Sequence, residues 1–242
     1  MEELTVAFAG IPFFEDLQPE KAEIHARSAV RRRYGEGELV LDFDDHSSDV
    51  YFVVHGEVRV LIRTAAGREM ILCELGPGRC FGEMAAIDGL TRSANVTALT
   101  NTELCVVPAA VFLEIVLSEP RICQRLLRLL TLRVRELDTR LVEHSMLDLR
   151  HRLYAELLRL SAPRHGAPGQ SIVSPPPRQQ DLAARIGCRR EQVSRELTTM
   201  LDEGLVEKTK GGLVLPRPET LRSRVQRVLD GADWRRGSFP GS

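Results

Sequence analysis

Two groups of residues carry side chains and spacings that could do chemistry. The first lies in FGEMAAIDGLTRSANV, Phe81–Val96, where Gly82-Glu83 precedes Arg92-Ser93. Glycine at 82 lets another group approach the backbone closely, and the amide N–H groups after it can hold an anion. Arg92 offers a planar fork that fits phosphate oxygens. Glu83 offers a carboxylate that can accept from two sugar hydroxyls. The set suits a phosphorylated sugar. The competing arrangement is a Glu83–Arg92 ion pair bracing an empty fold.

The second group lies in RQQDLAARIGCRREQVSRELTTML, Arg178–Leu201. Leu182, Ala183 and Ile186 share one helical face, and Val193, Leu197, Met200 and Leu201 share another. Gly187 stands between them, where a tight turn needs positive φ. Small Ala183, Gly187 and aliphatic Val193 fit a helix-turn-helix, whose two helices must cross closely. Its second helix exposes Arg189, Arg190, Glu191, Ser194 and Arg195. Arg190 and Arg195 can donate bidentate bonds to guanine, and Glu191 can accept from cytosine N4. Arg189, Gln179 and Lys210 are placed to meet phosphates. A solvated helix face with a Glu191–Arg195 pair is the plainer alternative.

Elements must position both groups. Residues 1–30 are expected to form short helices anchored by Phe13, Phe14, Leu17 and Ile24. Short strands are expected at Val50–Val54, Val58–Ile62, Met70–Leu75, Asn95–Ala98 and Leu104–Val107. They are separated by turns at His55-Gly56, Ala66-Gly67, Gly76-Pro77-Gly78 and Asp88-Gly89. This spacing points to an antiparallel sandwich or roll. Beyond Pro108 the pattern turns helical. Cys123, Leu127, Leu130, Val134, Leu137, Leu141 and His144 follow a heptad seam suited to self-association. Helical pattern resumes through Leu153, Leu157, Leu158 and Leu160. The Pro/Gly-rich Ser161–Pro177 is expected to be loop and irregular strand. Leu205–Thr209 and Leu213–Leu215, flanking Lys210-Gly211-Gly212, read as a hairpin wing. A short helix is expected around Leu221, Val225, Val228 and Leu229, followed by a basic end, Trp234–Ser242.

The net charge of −1 hides an asymmetry. Residues 149–242 hold 17 Lys+Arg against 10 Asp+Glu, +7, and the remainder holds 16 against 24, −8. Phosphate backbones attract the first part and repel the second. The five cysteines, Cys73, Cys80, Cys105, Cys123 and Cys188, are scattered without a CxxC pair, so neither a disulfide framework nor a zinc site is expected. The acidic N-terminus does not read as a secretion signal, and no apolar run reaches bilayer length, so a cytoplasmic chain without a membrane partner is expected. A nucleophile–base–acid set, HExxH and a P-loop Gly-Lys-Ser/Thr are not found, so no enzyme is expected.

The two groups carry a resemblance. Phe81–Val96 resembles the phosphate-binding cassette of cyclic-nucleotide-binding domains, and CRREQVSREL, Cys188–Leu197, resembles the recognition helix of CRP. Over roughly Phe13–Leu215 the chain resembles CRP/FNR transcription regulators. That resemblance implies an α+β fold: residues 1–120 as a cyclic-nucleotide-binding β-roll (double-stranded β-helix or jelly roll) and 121–146 as a dimerisation helix. Residues 147–218 would be a winged helix-turn-helix and 219–242 a tail. It implies a cyclic nucleotide as effector rather than cofactor, cyclic AMP before cyclic GMP. Glu83 would take the ribose 2′-OH, Arg92 and Ser93 the cyclic phosphate, with the Met84 and Ala85 backbone completing the cradle. The family's base-contacting Thr and Ser fall on Leu137 and Asp138, with Thr139 next. Leu137 cannot hydrogen-bond through its side chain, whereas Asp138 or Thr139 could accept from an exocyclic amine. Arg190, Glu191 and Arg195 match positions that read a GTGA-like half-site, so double-stranded DNA, a homodimer and RNA polymerase are the implied partners. A regulator of the same fold with another effector, or none, is the alternative. Iron–sulfur sensing would need clustered N-terminal cysteines, and the first cysteine is Cys73. His55 reads as a turn residue rather than a haem ligand. Three departures stand out: Arg189 replaces a capping Ser, so a cap is expected to be lost; Pro177 replaces a capping Thr; and Glu196 occupies a usually apolar position.

Overall fold

A computed structural model of the chain describes residues 7–64 and 67–231. It divides into two compact units, Met1–Arg133 and Val134–Ser242, so the division falls inside the long helix. No helix among the described residues is long and apolar enough to cross a membrane.

The first unit opens with a 3-10 turn, Pro12–Phe14, and α1, Pro19–Ala26. Strands follow at β1 Val30–Tyr34, β2 Leu39–Leu41, β3 Val50–His55, β4 Val58–Arg63, β5 Glu69–Leu75 and β6 Cys80–Phe81. Then come α2 Glu83–Asp88, β7 Asn95–Ala98, β8 Thr102–Val107, α3 Ala109–Ser118 and α4 Pro120–Met146. Two four-stranded antiparallel sheets form, ordered β1-β8-β3-β6 and β2-β7-β4-β5.

Strands β3 and β8 of the first sheet are buried on both faces, which explains their continuous apolar runs. Side chains alternate across a strand. Val50, Phe52, Cys105 and Val107 therefore join the core with Phe13, Phe14, Phe112 and Ile122. Tyr51, Val53, Leu104 and Val106 join Leu41, Val58, Phe81 and Val96 between the sheets. Each fully buried large side chain here is worth about 1.5–3 kcal/mol.

This unit departs from the sequence reading at three places. Phe13, Phe14 and Leu17 are buried anchors, but Ile24 is 62% exposed, because α1 turns His25 and Ala26 inward instead. Strand β1, VRRRY, is not among the strands expected from the sequence; Arg31 and Arg33 are held by Glu103 of β8, which pairs with β1. The heptad seam divides. Cys123 and Leu130 pack against the unit's own core, together with Ile122, Leu126 and Leu129. Leu127, Leu132, Val134, Leu137 and Leu141 stay exposed. The turn at Ala66-Gly67 lies partly outside the described residues.

In the second unit the end of α4 leads to α5 Leu149–Leu160, capped by Asp148, whose side chain accepts from the His151 N–H at 2.9 Å. Next are β9 Ala162–Pro163, β10 Ser171–Val173, α6 Gln179–Ile186 and α7 Arg190–Asp202. They are followed by β11 Glu207–Thr209, β12 Gly212–Leu215 and α8 Pro218–Gly231. One antiparallel sheet runs β11-β12-β10-β9. Its core joins Leu153, Tyr154 and Leu157 of α5 to Leu182, Val193, Leu197, Met200, Leu215 and Leu221. Thr209 pairs with Gly212, so the wing turn is Lys210-Gly211, one residue tighter than the sequence suggests. Leu205 and Val206 serve the core instead of the strand. The basic end Trp234–Ser242 lies outside the described residues.

Candidate functional site

The structure gathers Gly82, Glu83, Met84, Ala85, Arg92 and Ser93 around α2. Gly82 is the N-cap of α2 at φ 80°. A Cβ there would meet Arg92 Nη1 at 2.8 Å and the Asp49 carbonyl at 2.9 Å, so only glycine fits. The backbone N–H groups of the first turn have no intrahelical partner and are free to meet an anion.

Arg92 is buried, yet every nitrogen of its guanidinium is directed. Nε donates to Ser47 Oγ at 3.0 Å, Nη1 to the Gly82 carbonyl at 2.9 Å and Nη2 to the Asp49 carbonyl at 2.8 Å. These bonds use three of its five N–H groups and leave two for a ligand. Its guanidinium also lies 5.8 Å from the Tyr51 ring centroid. Burial lowers the Arg92 pKa, opposed by Tyr51, Asp45, Asp49 and Glu83. The backbone is gripped as well: Arg92 N–H donates to the Asp45 carbonyl and Asp44 N–H to the Arg92 carbonyl, both at 2.9 Å. Ser93 and Met84 are exposed, with Ser93 Oγ 3.8 Å from Met84 Sδ.

Glu83 is only 1% exposed, and the Glu83–Arg92 brace is not what forms. Its partner is Arg133 of α4, which donates to Glu83 Oε1 and, at 2.5 Å, to the Cys80 carbonyl. Glu83 Oε2 is buried without a hydrogen bond. A buried carboxylate oxygen left unpaired is costly, and a hydroxyl donor from a ligand would satisfy it. Burial, with the Glu83 carboxylate beside it, pushes the Cys80 thiol up to about 12, which keeps it protonated and inert. Arg133 was missed from the sequence. A signal existed: Ile122, Leu126, Leu129 and Arg133 repeat at helical spacing, so an arginine ends the inward stripe of α4 and needs a buried anion. Leu137, Asp138 and Thr139 are exposed on the part of α4 in the second unit, where the Thr139 hydroxyl donates to the Arg135 carbonyl at 2.9 Å.

The second unit presents α7. Val193, Leu197 and Met200 are buried beneath it, which turns Arg189, Arg190, Glu191 and Arg195 to solvent, with Ser194 half-buried beside them. No Glu191–Arg195 ion pair forms among the described residues; Arg195 Nε instead donates to the Glu191 carbonyl at 3.4 Å. The cap expected to be lost at Arg189 is half restored, because Gln192 Oε1 accepts the Arg189 N–H at 3.0 Å. A guanidinium has no acceptor, so the other half of a capping box cannot form. Gly187 adopts φ 67°, the left-handed turn between α6 and α7, and a Cβ would stand 3.2 Å from His144 Cε1. His144 therefore lies beside this turn of its own chain. Gln179 opens α6, and Lys210 is exposed at the wing tip. Glu196, out of place as an apolar position, is explained by Arg150, whose Nε donates to it at 2.9 Å.

Comparison with known proteins finds a domain family for each part of the chain. Residues 31–119 match the cyclic nucleotide-binding domain and residues 151–224 the Crp-like helix-turn-helix domain. The cyclic AMP receptor protein of Thermus thermophilus is 34% identical over 202 residues, 84% of this chain and 91% of that protein. A CRP-like cAMP-activated global transcriptional regulator of Mycobacterium tuberculosis is 25% identical over 228 residues, 93% of this chain and 100% of that protein. Among solved structures, the c-di-GMP responsive global regulator CLP of Xanthomonas campestris superposes with TM-score 0.69 at 26% identity, covering 82% of this chain and 99% of that one. The class so defined is a transcription regulator that joins a cyclic-nucleotide-binding domain to a DNA-binding helix-turn-helix. The chain belongs to the CRP/FNR family.

Proposed function

We propose that this regulator is gated by a cyclic purine nucleotide, cyclic AMP before cyclic GMP. The observation that carries the reading is Glu83 Oε2, buried and unpaired beside Arg92 and the first-turn amides of α2. Glu83 accepts a ribose hydroxyl, while Arg92, Ser93 and the Met84 and Ala85 amides hold the cyclic phosphate. Asp138 and Thr139, rather than Leu137, supply polar groups for the base. Residues 1–120 form the nucleotide domain, 121–146 the dimerisation helix, 147–218 the DNA-binding domain and 219–242 a tail.

The exposed Leu127, Val134, Leu137 and Leu141 on α4 support a parallel homodimer, because so many bare aliphatic side chains on one helix call for a cover. Two recognition helices then read a pseudo-palindromic operator with TGTGA-type arms about one helical turn apart. Arg190, Glu191, Ser194 and Arg195 read bases, and Gln179, Arg189 and Lys210 meet phosphates. The protein works in the cytoplasm, without catalysis, and RNA polymerase is its downstream partner. Calorimetric titration of the full chain with each nucleotide tests the ligand: binding at micromolar to millimolar nucleotide is expected, and no heat with either refutes it.

A second reading is favoured by Leu137, which offers no polar side-chain atom for a base, and by the likeness to a regulator described as c-di-GMP responsive. In it the same fold answers a different effector. Binding of cyclic di-GMP with silence from both mononucleotides would select it.

A further inference from the structure

The back of the recognition helix carries a charged assembly that the DNA reading does not use. Glu196 of α7 and Glu203, the C-cap residue just past its end, lie seven residues apart, so at about 3.6 residues per turn they fall on one flank. At about 3.6 residues per turn Glu191 and Ser194 point away from that flank, and Arg195 lies about a quarter turn round from it. Arg150 of α5 spans both carboxylates: Nε donates to Glu196 Oε2 at 2.9 Å and Nη1 to Glu203 Oε1 at 3.2 Å. Arg224 of α8 takes the other oxygen of Glu203, Oε2, at 3.1 Å. The same Arg224 nitrogen donates to the hydroxyl of fully buried Tyr154 at 3.2 Å, and its guanidinium lies 5.9 Å from that ring's centroid. α8 is itself seated by Leu221 and Val225 in the core.

These contacts differ in kind from those under α7. Val193, Leu197 and Met200 make an aliphatic bed, and apolar contact is not directional. Guanidinium forks are planar and fix the angle at which a carboxylate meets them. Arg150 grips the middle of α7 and its C-cap at once, and Arg224 ties that C-cap to α8. Rotation of α7 about its axis would swing the base-reading side chains across the groove, and it would also tear these four side chains apart. Glu196, in a position expected to be apolar, has its reason here.

We infer that Arg150 and Arg224, acting through Glu196 and Glu203, are positioning residues that set the rotation of the recognition helix and hence sequence discrimination, which gives α8 a role in DNA reading. The inference rests on the reading of α7 as the base-reading helix. The test uses the full chain and a duplex selected by the wild type from a randomised pool, with its scrambled counterpart. Fluorescence anisotropy at one salt concentration yields the ratio of the two affinities for wild type, Arg224→Met, Glu203→Gln and the double variant. The ratio is expected to fall about fivefold or more in each, within the range that coupled residues span. Affinity for the scrambled duplex should hold, and the double variant should lose no more than the worse single one. Glu196→Gln probes the other end without touching α8, and should lower the ratio even if Arg224→Met does not fold. Unchanged ratios, equal loss on scrambled DNA or strictly additive losses would overturn the positioning role. A wild type that selects no preferred duplex would instead remove the base-reading assignment beneath it.

Discussion

Replacing Arg133 by methionine keeps most of its aliphatic stem and removes the charge that Glu83 depends on. Glu83 is then a carboxylate at 1% exposure with neither oxygen paired by a side chain, and the Cys80 carbonyl loses its 2.5 Å donor. Removing one partner of a fully buried ion pair costs about 3–5 kcal/mol. Arg133's own side chain is 32% exposed, so water reaches part of the site and the cost drops to roughly 2–3 kcal/mol. At about 2–4 °C per kcal/mol for a chain of this size, Tm should fall by roughly 4–12 °C. Differential scanning calorimetry without ligand reads this directly. The partner change isolates the cause: adding Glu83→Gln removes the stranded charge, so the double variant should recover part of the loss. An Arg133→Met Tm within 1 °C of wild type, or a double variant no more stable than Arg133→Met alone, would refute the argument that Arg133 neutralises a buried carboxylate.

Arg92→Ala should weaken cyclic-nucleotide binding at least tenfold, since a lost charge-assisted bond costs about 1.5–3 kcal/mol; isothermal calorimetry reads it, and unchanged affinity would reject Arg92 as the phosphate ligand. Leu137→Glu with Leu141→Glu, both on the exposed stripe of α4, should turn a dimer mass in light scattering into a monomer; a monomeric wild type would sink the dimer. Burial, followed by the Arg152 charge, lowers the His144 pKa. The unfolded imidazole takes up a proton near pH 6.5 while the folded one resists, so this group's stabilisation is full above about pH 6.5 and is lost as pH falls through the lowered folded value. His144→Gln should therefore flatten part of the Tm decline between about pH 7 and 5, and an unchanged pH profile would contradict it.

Much of the fold could be read because local pattern and tertiary fate agreed. The apolar runs at Val50–Val53 and Val58–Ile62 lie in β3 and β4, and Asn95–Ala98 forms its strand as expected. Ala183, Gly187 and Val193 carry the helix-turn-helix because close crossing and positive φ leave few residue types. What escaped depended on partners distant in sequence. Arg31 and Arg33 make sense in a strand only once Glu103 faces them. Arg133 needs Glu83, fifty residues earlier, before it reads as part of the candidate site. Leu130 and Leu137 both satisfy the heptad, yet one packs inward and the other stays bare, because α4 has two apolar faces and periodicity does not say which one the roll claims. Arg92 could be picked out as a candidate site residue, but its anchors Ser47 and Asp49 come from the β2–β3 connection, where nothing local marks them.

Operator affinity with and without nucleotide tests the central claim, that the ligand site governs the DNA site. Gel-shift titration of the full chain on a pseudo-palindromic TGTGA duplex, at physiological salt, should show binding at least tenfold tighter with saturating cyclic AMP. That corresponds to a coupling free energy of about 1.4 kcal/mol. Equal affinity in the two titrations would contradict gating by cyclic AMP.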